Sequence, residues 1–242
     1  MKIKISFLTN LKVLCLFLFF QSSLLQFSHA KWDNWRGPLY NGSTDSNQAL
    51  PTSFDKSKGV KWVIDLPGSS AATPIVIDDR IFITSISVPK SGSRKGQGDL
   101  LALCYSTSSG ELLWSRNAGS GYRPGNYDGF DYMLHDRSNY ASPSPVVGNE
   151  LVFYFFGNGD LVAYDFDGNK KWERNIQKDY GDFCFQWTFS ASPTFYEEKL
   201  YLPILQRDEP VHGRGKQGTK SFLLCMNPDS GETIWKHPRP SD

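Results

Sequence analysis

The sequence predicts an all-β fold assembled from copies of one four-stranded antiparallel sheet, and two recurring features predict it. The first is a word of apolar run, polar turn, Gly, three residues and Trp. It occurs at Leu100 to Gly110 and Trp114, at Leu161 to Gly168 and Trp172, and at Phe222 to Gly231 and Trp235. This spacing reads as a strand, a tight turn whose Gly takes positive φ, and a second strand that opens on a large aromatic. The second feature precedes each word. Thr73-Pro74, Ser144-Pro145 and Ser192-Pro193 each open a short β-rich run, polar residues such as Asp78-Asp79 or Glu197-Glu198 turn the chain, and a second β-rich run follows. Two strands ahead of a hairpin make four strands per repeat.

Taken in order, Lys2 and Lys4 lead into the apolar run Val13 to Phe20, and Ser28-His29-Ala30 offers small residues to a signal peptidase. Residues 1–30 therefore read as a signal peptide cut after Ala30. The apolar run is far shorter than the ~20 residues of a spanning helix, so no membrane span is expected after cleavage. Leu14 is too large for the position before a lipidated Cys15. Residues 31–58 hold Gly, Asn, Ser and Pro at frequent intervals and read as an irregular lead-in, with Asn41-Gly42-Ser43 a formal glycosylation sequon. Residues 59–66 match a repeat's last strand around Trp62 without the three strands that should precede it, and read as a closing outer strand. Blade 1 is placed at 67–118, an inserted loop at 119–139, blade 2 at 140–176, and blade 3 with a truncated end at 177–242.

The Trp intervals exceed the roughly 40–50 residues of propeller repeats, an excess that inserted loops explain. The prediction is a partial β-propeller of three blades plus one closing strand. Trp62, Trp114, Trp172 and Trp235, each near the start of an outer strand, are expected to wedge between adjacent blades with the indole N–H on backbone. Burying one contributes on the order of 2–3 kcal/mol. Gly110, Gly168 and Gly231 are expected to hold the turns. Ile75, Phe82, Leu101, Val146, Phe153, Val162, Leu200 and Leu223 are expected in the core.

The pattern Ser-Pro, Leu-Tyr, Leu-x-Ala-x-Asp-x-x-x-Gly-x-x-x-Trp resembles the PQQ-like (quinoprotein-type) β-propeller repeat, found in quinoprotein dehydrogenases and in the propeller lipoprotein of the bacterial outer-membrane assembly machine. The opening Trp32-Asp33-Asn34-Trp35-Arg36-Gly37-Pro38 resembles the start of a secreted branch of that superfamily. The resemblance runs from about Trp32 to Trp235 and implies a parent of about eight blades. The chain is then expected to be a fragment of a longer one, with self-association through open blade edges as the alternative.

With 242 residues, 39% of them hydrophobic, the chain can bury a sizeable core, and its net charge of +1 argues against a nucleic-acid partner. After Cys15 is set aside, Cys104, Cys184 and Cys225 remain. An odd count, with Cys104 and Cys225 at equivalent repeat positions, argues for small buried hydrophobes rather than disulfides. Strand order places Ser87–Asp99, Ala118–Asn139, Asn175–Trp187 and Gln206–Lys220 at one end of the blades and short turns at the other. Long loops on a rigid scaffold are where binding residues gather. The ligand-face candidates are Arg123, Tyr127, Asp128, His135, Arg137, Arg207 and His212. No catalytic, cofactor or metal residue is assigned: His135-Asp136-Arg137 has no accompanying nucleophile elbow, and Asp165-Phe166-Asp167-Gly168-Asn169 lacks the distal Glu of a calcium loop.

Two functions are expected from this reading. The first is an exported binding scaffold that presents its loop-rich face to a protein or glycan partner without catalysis. The alternative is part of a quinone (PQQ)-dependent alcohol or sugar dehydrogenase. For that alternative the resemblance implies a calcium-bound quinone and often a ring of adjacent cysteines, and no Cys-Cys pair occurs here.

Overall fold

The computed structural model describes residues 31–43, 52–55, 57–88, 98–121, 139–185, 188–211 and 213–240. The signal peptide expected at 1–30 lies outside them. The described chain is three antiparallel sheets and one single-turn helix.

The first sheet contains β1 (Lys31–Trp32), β2 (Gly68–Ser69), β3 (Ile75–Ile77), β4 (Arg80–Ser87), β5 (Leu100–Ser106) and β6 (Leu112–Asn117). Its order is β1-β3-β4-β5-β6, with β2 also paired to β4. The second sheet runs in simple order through β7 (Val146–Gly148), β8 (Leu151–Phe155), β9 (Asp160–Asp165) and β10 (Lys170–Asn175). Helix α1 (Ile176–Tyr180) then leads to the third sheet of β11 (Thr194–Tyr196), β12 (Lys199–Ile204), β13 (Ser221–Met226) and β14 (Thr233–Arg239). These are the meanders the repeats predict. Pro74, Pro145 and Pro193, which cannot donate to a ladder, stand just before the innermost strands β3, β7 and β11.

Period-2 alternation builds two cores from the one central sheet. Its even residues Val152, Tyr154, Phe156, Val162 and Tyr164 join Phe82, Leu100, Ala102, Cys104 and Trp114 of the first sheet. Its odd residues Phe153, Phe155, Leu161 and Ala163 join Leu200, Leu202, Phe222, Leu224 and Met226 of the third. Blade 2 is therefore buried on both faces, and every residue of β8 is buried. Leu101 and Leu223, expected in the core, are only half-buried, because their alternation turns them to the outward faces of the end sheets.

One lock occurs three times at the outer-strand turns, twice between sheets and once from the extended stretch around Trp62. Trp114 Nε1 donates to Phe166 O at 2.9 Å, Trp172 Nε1 to Pro228 O at 2.7 Å, and Trp62 Nε1 to Thr107 O at 3.0 Å. Each indole covers the glycine of that same turn. A Cβ on Gly168, Gly231 or Gly110 would come within 2.8, 2.6 or 2.8 Å of Trp114, Trp172 or Trp62, and the three glycines have φ of +80°, +73° and +77°. Arg116 Nε adds a donation to Gly168 O at 2.8 Å, and Arg174 Nη1 one to Gly231 O at 2.7 Å. Each turn is itself fastened by the side chain at its first residue, with Ser106, Asp165 and Asn227 accepting from backbone N–H groups two to four residues on.

A second lock lies at the inner strands: Thr73 N donates to Ser144 Oγ at 2.8 Å, and Ser144 N donates to Ser192 Oγ at 3.0 Å.

Two expected elements take another form. Residues 60–66 carry no strand, yet Trp62 in this extended stretch caps the turn of the first sheet as an outer strand would. The lead-in is a strap rather than a loose loop. Lys31 and Trp32 pair with Ile77 and Val76 of β3, Asp33 O accepts from Val147 N of β7 at 3.0 Å, and Tyr40 Oη donates to Phe195 O of β11 at 2.8 Å. It thus crosses the innermost strand of all three sheets and pairs backbone groups that an open sheet edge would leave bare.

Candidate functional site

The connections at the long-loop end converge on a buried polar hub at the β8–β9 turn. Asp160, only 2% exposed, accepts from Ser120 N at 2.9 Å and Ser120 Oγ at 2.6 Å. It also accepts from Asn158 Nδ2 at 2.6 Å and Asn175 Nδ2 at 2.7 Å. A buried carboxylate needs such donors to be tolerated. Asn175 is also the N-cap of α1, its Oδ1 accepting from Lys178 N at 3.0 Å.

From this hub the seam continues through side-chain amides. Gln177 Nε2 donates to Asn158 O at 2.9 Å and its Oε1 accepts from Phe183 N at 2.8 Å, which anchors the segment after α1. Gln206 Oε1 accepts from Cys184 N at 3.0 Å, its Nε2 donates to Lys220 O at 2.9 Å, and Ser221 Oγ donates to Gln206 O at 2.9 Å. Phe155, Phe183, Phe185 and Phe189 pack as a ring cluster beneath these loops, with Phe189 within 5.0 to 6.0 Å of the other three ring centres. Loop roots from the blade 1–2, blade 2–3 and β12–β13 connections are thereby fixed to one another.

Above the seam lies a cleft of about 160 Å³ lined by Tyr180, Gly181, Asp182, Gly213, Gly215, Lys216 and Thr219. Its floor requires glycine at 215, where φ is +80° and a Cβ would sit 2.0 Å from Cys184 Sγ. Pockets for whole small ligands are roughly 300–1,000 Å³, so this cleft is too small to enclose one. The carboxylate of Asp182 and the ammonium of Lys216 give it both signs of charge.

Of the ligand-face candidates, the described residues include Arg207, which is exposed and ion-paired with Glu209, and whose backbone N donates to Cys184 O at 2.9 Å. Arg123, Tyr127, Asp128, His135, Arg137 and His212 lie outside them. Arg214, an apparent surface charge in the sequence, is buried and donates to Phe185 O. Asn158, Asp160, Asn175, Gln177 and Gln206 are the residues that sequence reasoning missed. Asn158 and Asp160 are flagged in the sequence by the alternation Gly157-Asn158-Gly159-Asp160, whereas Asn175, Gln177 and Gln206 carry no such signal.

Cys104, Cys184 and Cys225 are free and buried, in agreement with their reading as small hydrophobes. Burial pushes the Cys104 thiol up to about 12, so it stays protonated and unreactive at neutral pH. Among the described residues no three His, Cys, Asp or Glu side chains come together to hold a metal ion. Among the described residues no helix is long and apolar enough to cross a membrane. Asp165 to Asn169 is a side-chain-fastened turn, with Asp165 Oδ1 accepting from Asn169 N at 2.8 Å.

The family model described as outer membrane protein assembly factor BamB matches residues 44–241. A polyvinylalcohol dehydrogenase of Pseudomonas sp. is 25% identical over 85% of this chain and 28% of its own length. A second, from Sphingopyxis sp. (strain 113P3), is 24% identical over 87% of this chain and 29% of its own. The chain therefore spans less than a third of the length of these relatives. Among solved structures, the quinohemoprotein alcohol dehydrogenase ADHIIG of Pseudomonas putida HK5 matches with a TM-score of 0.44 at 15% identity, over 72% of this chain and 21% of that one. BamB from Moraxella catarrhalis matches with a TM-score of 0.35 at 11% identity, over 73% and 54%.

Proposed function

The chain belongs to the family of the outer membrane protein assembly factor BamB, and on that premise we propose that it is an exported propeller scaffold whose long-loop end binds a protein or glycan partner. One observation carries this reading. The two ends of the sheets are built differently, tight turns and a strap at one, and long connections rooted in a shared polar seam at the other. Rooted loops lose little further entropy on binding, which favours a recognition surface there. The reading of residues 1–30 as a leader supports export.

A photo-crosslinking residue at Arg207 reports on this end, and one at Glu150 on the tight-turn end. The reading expects discrete crosslinks in the exporting cell, or retention on a glycan array lost on R207A, from the first position only. Equal labelling from both positions contradicts it.

The polyvinylalcohol dehydrogenase relatives favour a second reading, in which the chain forms part of a quinone-dependent alcohol dehydrogenase. Titration of the purified chain with calcium and quinone separates the two readings. Stoichiometric appearance of a bound chromophore supports the second and none supports the first.

A further inference from the structure

The cleft above the polar seam is formed before anything enters it, because both of its walls are tied down by bonds of their own. One wall runs from Tyr180 to Asp182. Tyr180 Oη lies 2.7 Å from Thr233 Oγ1, Lys236 Nζ lies 4.5 Å from the centre of the Tyr180 ring, and Gly181 N donates to Gln177 O at 2.8 Å. The other wall comes from the β12–β13 connection. There Val211 and Arg214 exchange backbone bonds of 3.0 Å, Gly218 N donates to Asp208 O at 2.6 Å, and Thr219 Oγ1 donates to Lys216 O at 2.6 Å. Cys184 Sγ, two residues past Asp182, donates to Lys216 O at 3.6 Å and fastens one wall to the other. A ligand entering here has little chain left to order.

The chemistry of the lining narrows what can enter. Asp182 presents a carboxylate, which accepts hydrogen bonds, and the exposed Lys216 an ammonium, which donates them. Thr219 Oγ1 commits its one proton to Lys216 O, so it meets an incoming group as an acceptor. A phosphate or sulfate would face the Asp182 charge, and an amine would face the Lys216 charge. Two neighbouring hydroxyls satisfy both residues, one donating to the carboxylate and the other accepting from the ammonium. A protein side chain has no comparable foothold. Among the described residues the lining holds no aliphatic side chain, and its one aromatic ring, that of Tyr180, already has Lys236 against it. Protein partners depend on aromatic and apolar anchors seated in pockets.

We propose that this cleft is a subsite for a neutral glycan, which it holds by the vicinal hydroxyls of one sugar ring while the rest of the glycan lies outside. The proposal rests on the reading of the long-loop end as the binding end, and it selects the glycan over the protein partner. Asp182 and Lys216 bind the hydroxyl pair, and Thr219 accepts from a further hydroxyl. Tyr180 and Gly215 are positioning residues: the first holds its wall to β14 through Thr233, and the second lets the chain pass Cys184 Sγ where a Cβ would collide with it.

Saturation-transfer NMR and titration calorimetry of the purified chain test this, with cellotetraose, maltotetraose, xylotetraose and mannotetraose as neutral probes and a heparin tetrasaccharide as the anionic one. Saturable binding of at least one neutral probe is expected, with affinity lowered at least about tenfold by Asp182→Ala and by Lys216→Met. Both side chains are at least partly exposed, so each variant is expected to melt within about 2 °C of the parent chain. Binding of none of the four neutral probes overturns the proposal. So does binding that both substitutions leave unchanged, or heparin binding lost with Lys216→Met alone. Discrete protein crosslinks from Arg207 without sugar binding would overturn the glycan subsite while keeping the long-loop end as the binding end; equal labelling from Arg207 and Glu150 contradicts the broader reading instead.

Discussion

At Gly168 two physical requirements coincide: the turn needs positive φ, and Trp114 needs the space a Cβ would fill. Gly218 has φ of +78° but nothing within 4 Å of a Cβ, so it carries the first requirement alone. Gly168→Ala is expected to cost about 2–4 kcal/mol in urea unfolding and Gly218→Ala about 1 kcal/mol. Similar losses at the two sites would show that the indole does not press on the turn. Asp165, in the same turn, has a pH signature. Burial opposes its ionisation, but hydrogen bonds from the Asn169 side chain and backbone and from Lys171 outweigh burial and hold the carboxyl at about 2. A carboxyl with depressed native pKa stabilises the fold above its unfolded value of about 4, and that contribution is lost as pH falls toward 2. Because the group is largely solvent-screened the effect is small. Acid unfolding of Asp165→Asn should show a shallower decline between pH 4 and 2 than that of the parent chain.

At the scale of elements, the polar seam and the strap are the parts that pattern reading could not supply. Asp160 ends one turn and begins a strand, and nothing in its neighbours announces that Ser120 and Asn175, far away in sequence, converge on it. Asp160→Ala removes the carboxylate that accepts from the buried amides of Asn158 and Asn175. It is expected to cost about 3 kcal/mol, measured by urea unfolding, and a loss under about 1 kcal/mol would contradict the hub. The strap has no period because its partners are three different strands. Deleting residues 31–40 should speed amide exchange in β3 and β7, where β1 and Asp33 O supply acceptors; unchanged exchange would mean that the strap lies idle. By contrast, the strands themselves were legible, since the Gly-to-Trp spacing and the Ser-Pro openings each mark a fixed place in the meander. Leu101 and Leu223 were misassigned for a physical reason. A strand apolar on both sides gives no sign of which side meets a neighbour, and only the order of sheets in space decides it.

At the scale of the whole molecule, three sheets are held by one contact type repeated at the outer strands and another at the inner ones, so stability resides in nearest-neighbour interfaces. Trp62 closes the first interface without belonging to a strand, a distinction that its sequence, so similar to a last strand, did not reveal. The most direct test of this architecture is a double-mutant cycle across the first and second sheets, comparing Trp114→Phe, Gly168→Ala and the pair by urea unfolding. The lock predicts a coupling of about 1–2 kcal/mol between the two positions. Losses that add to within about 0.3 kcal/mol would contradict it.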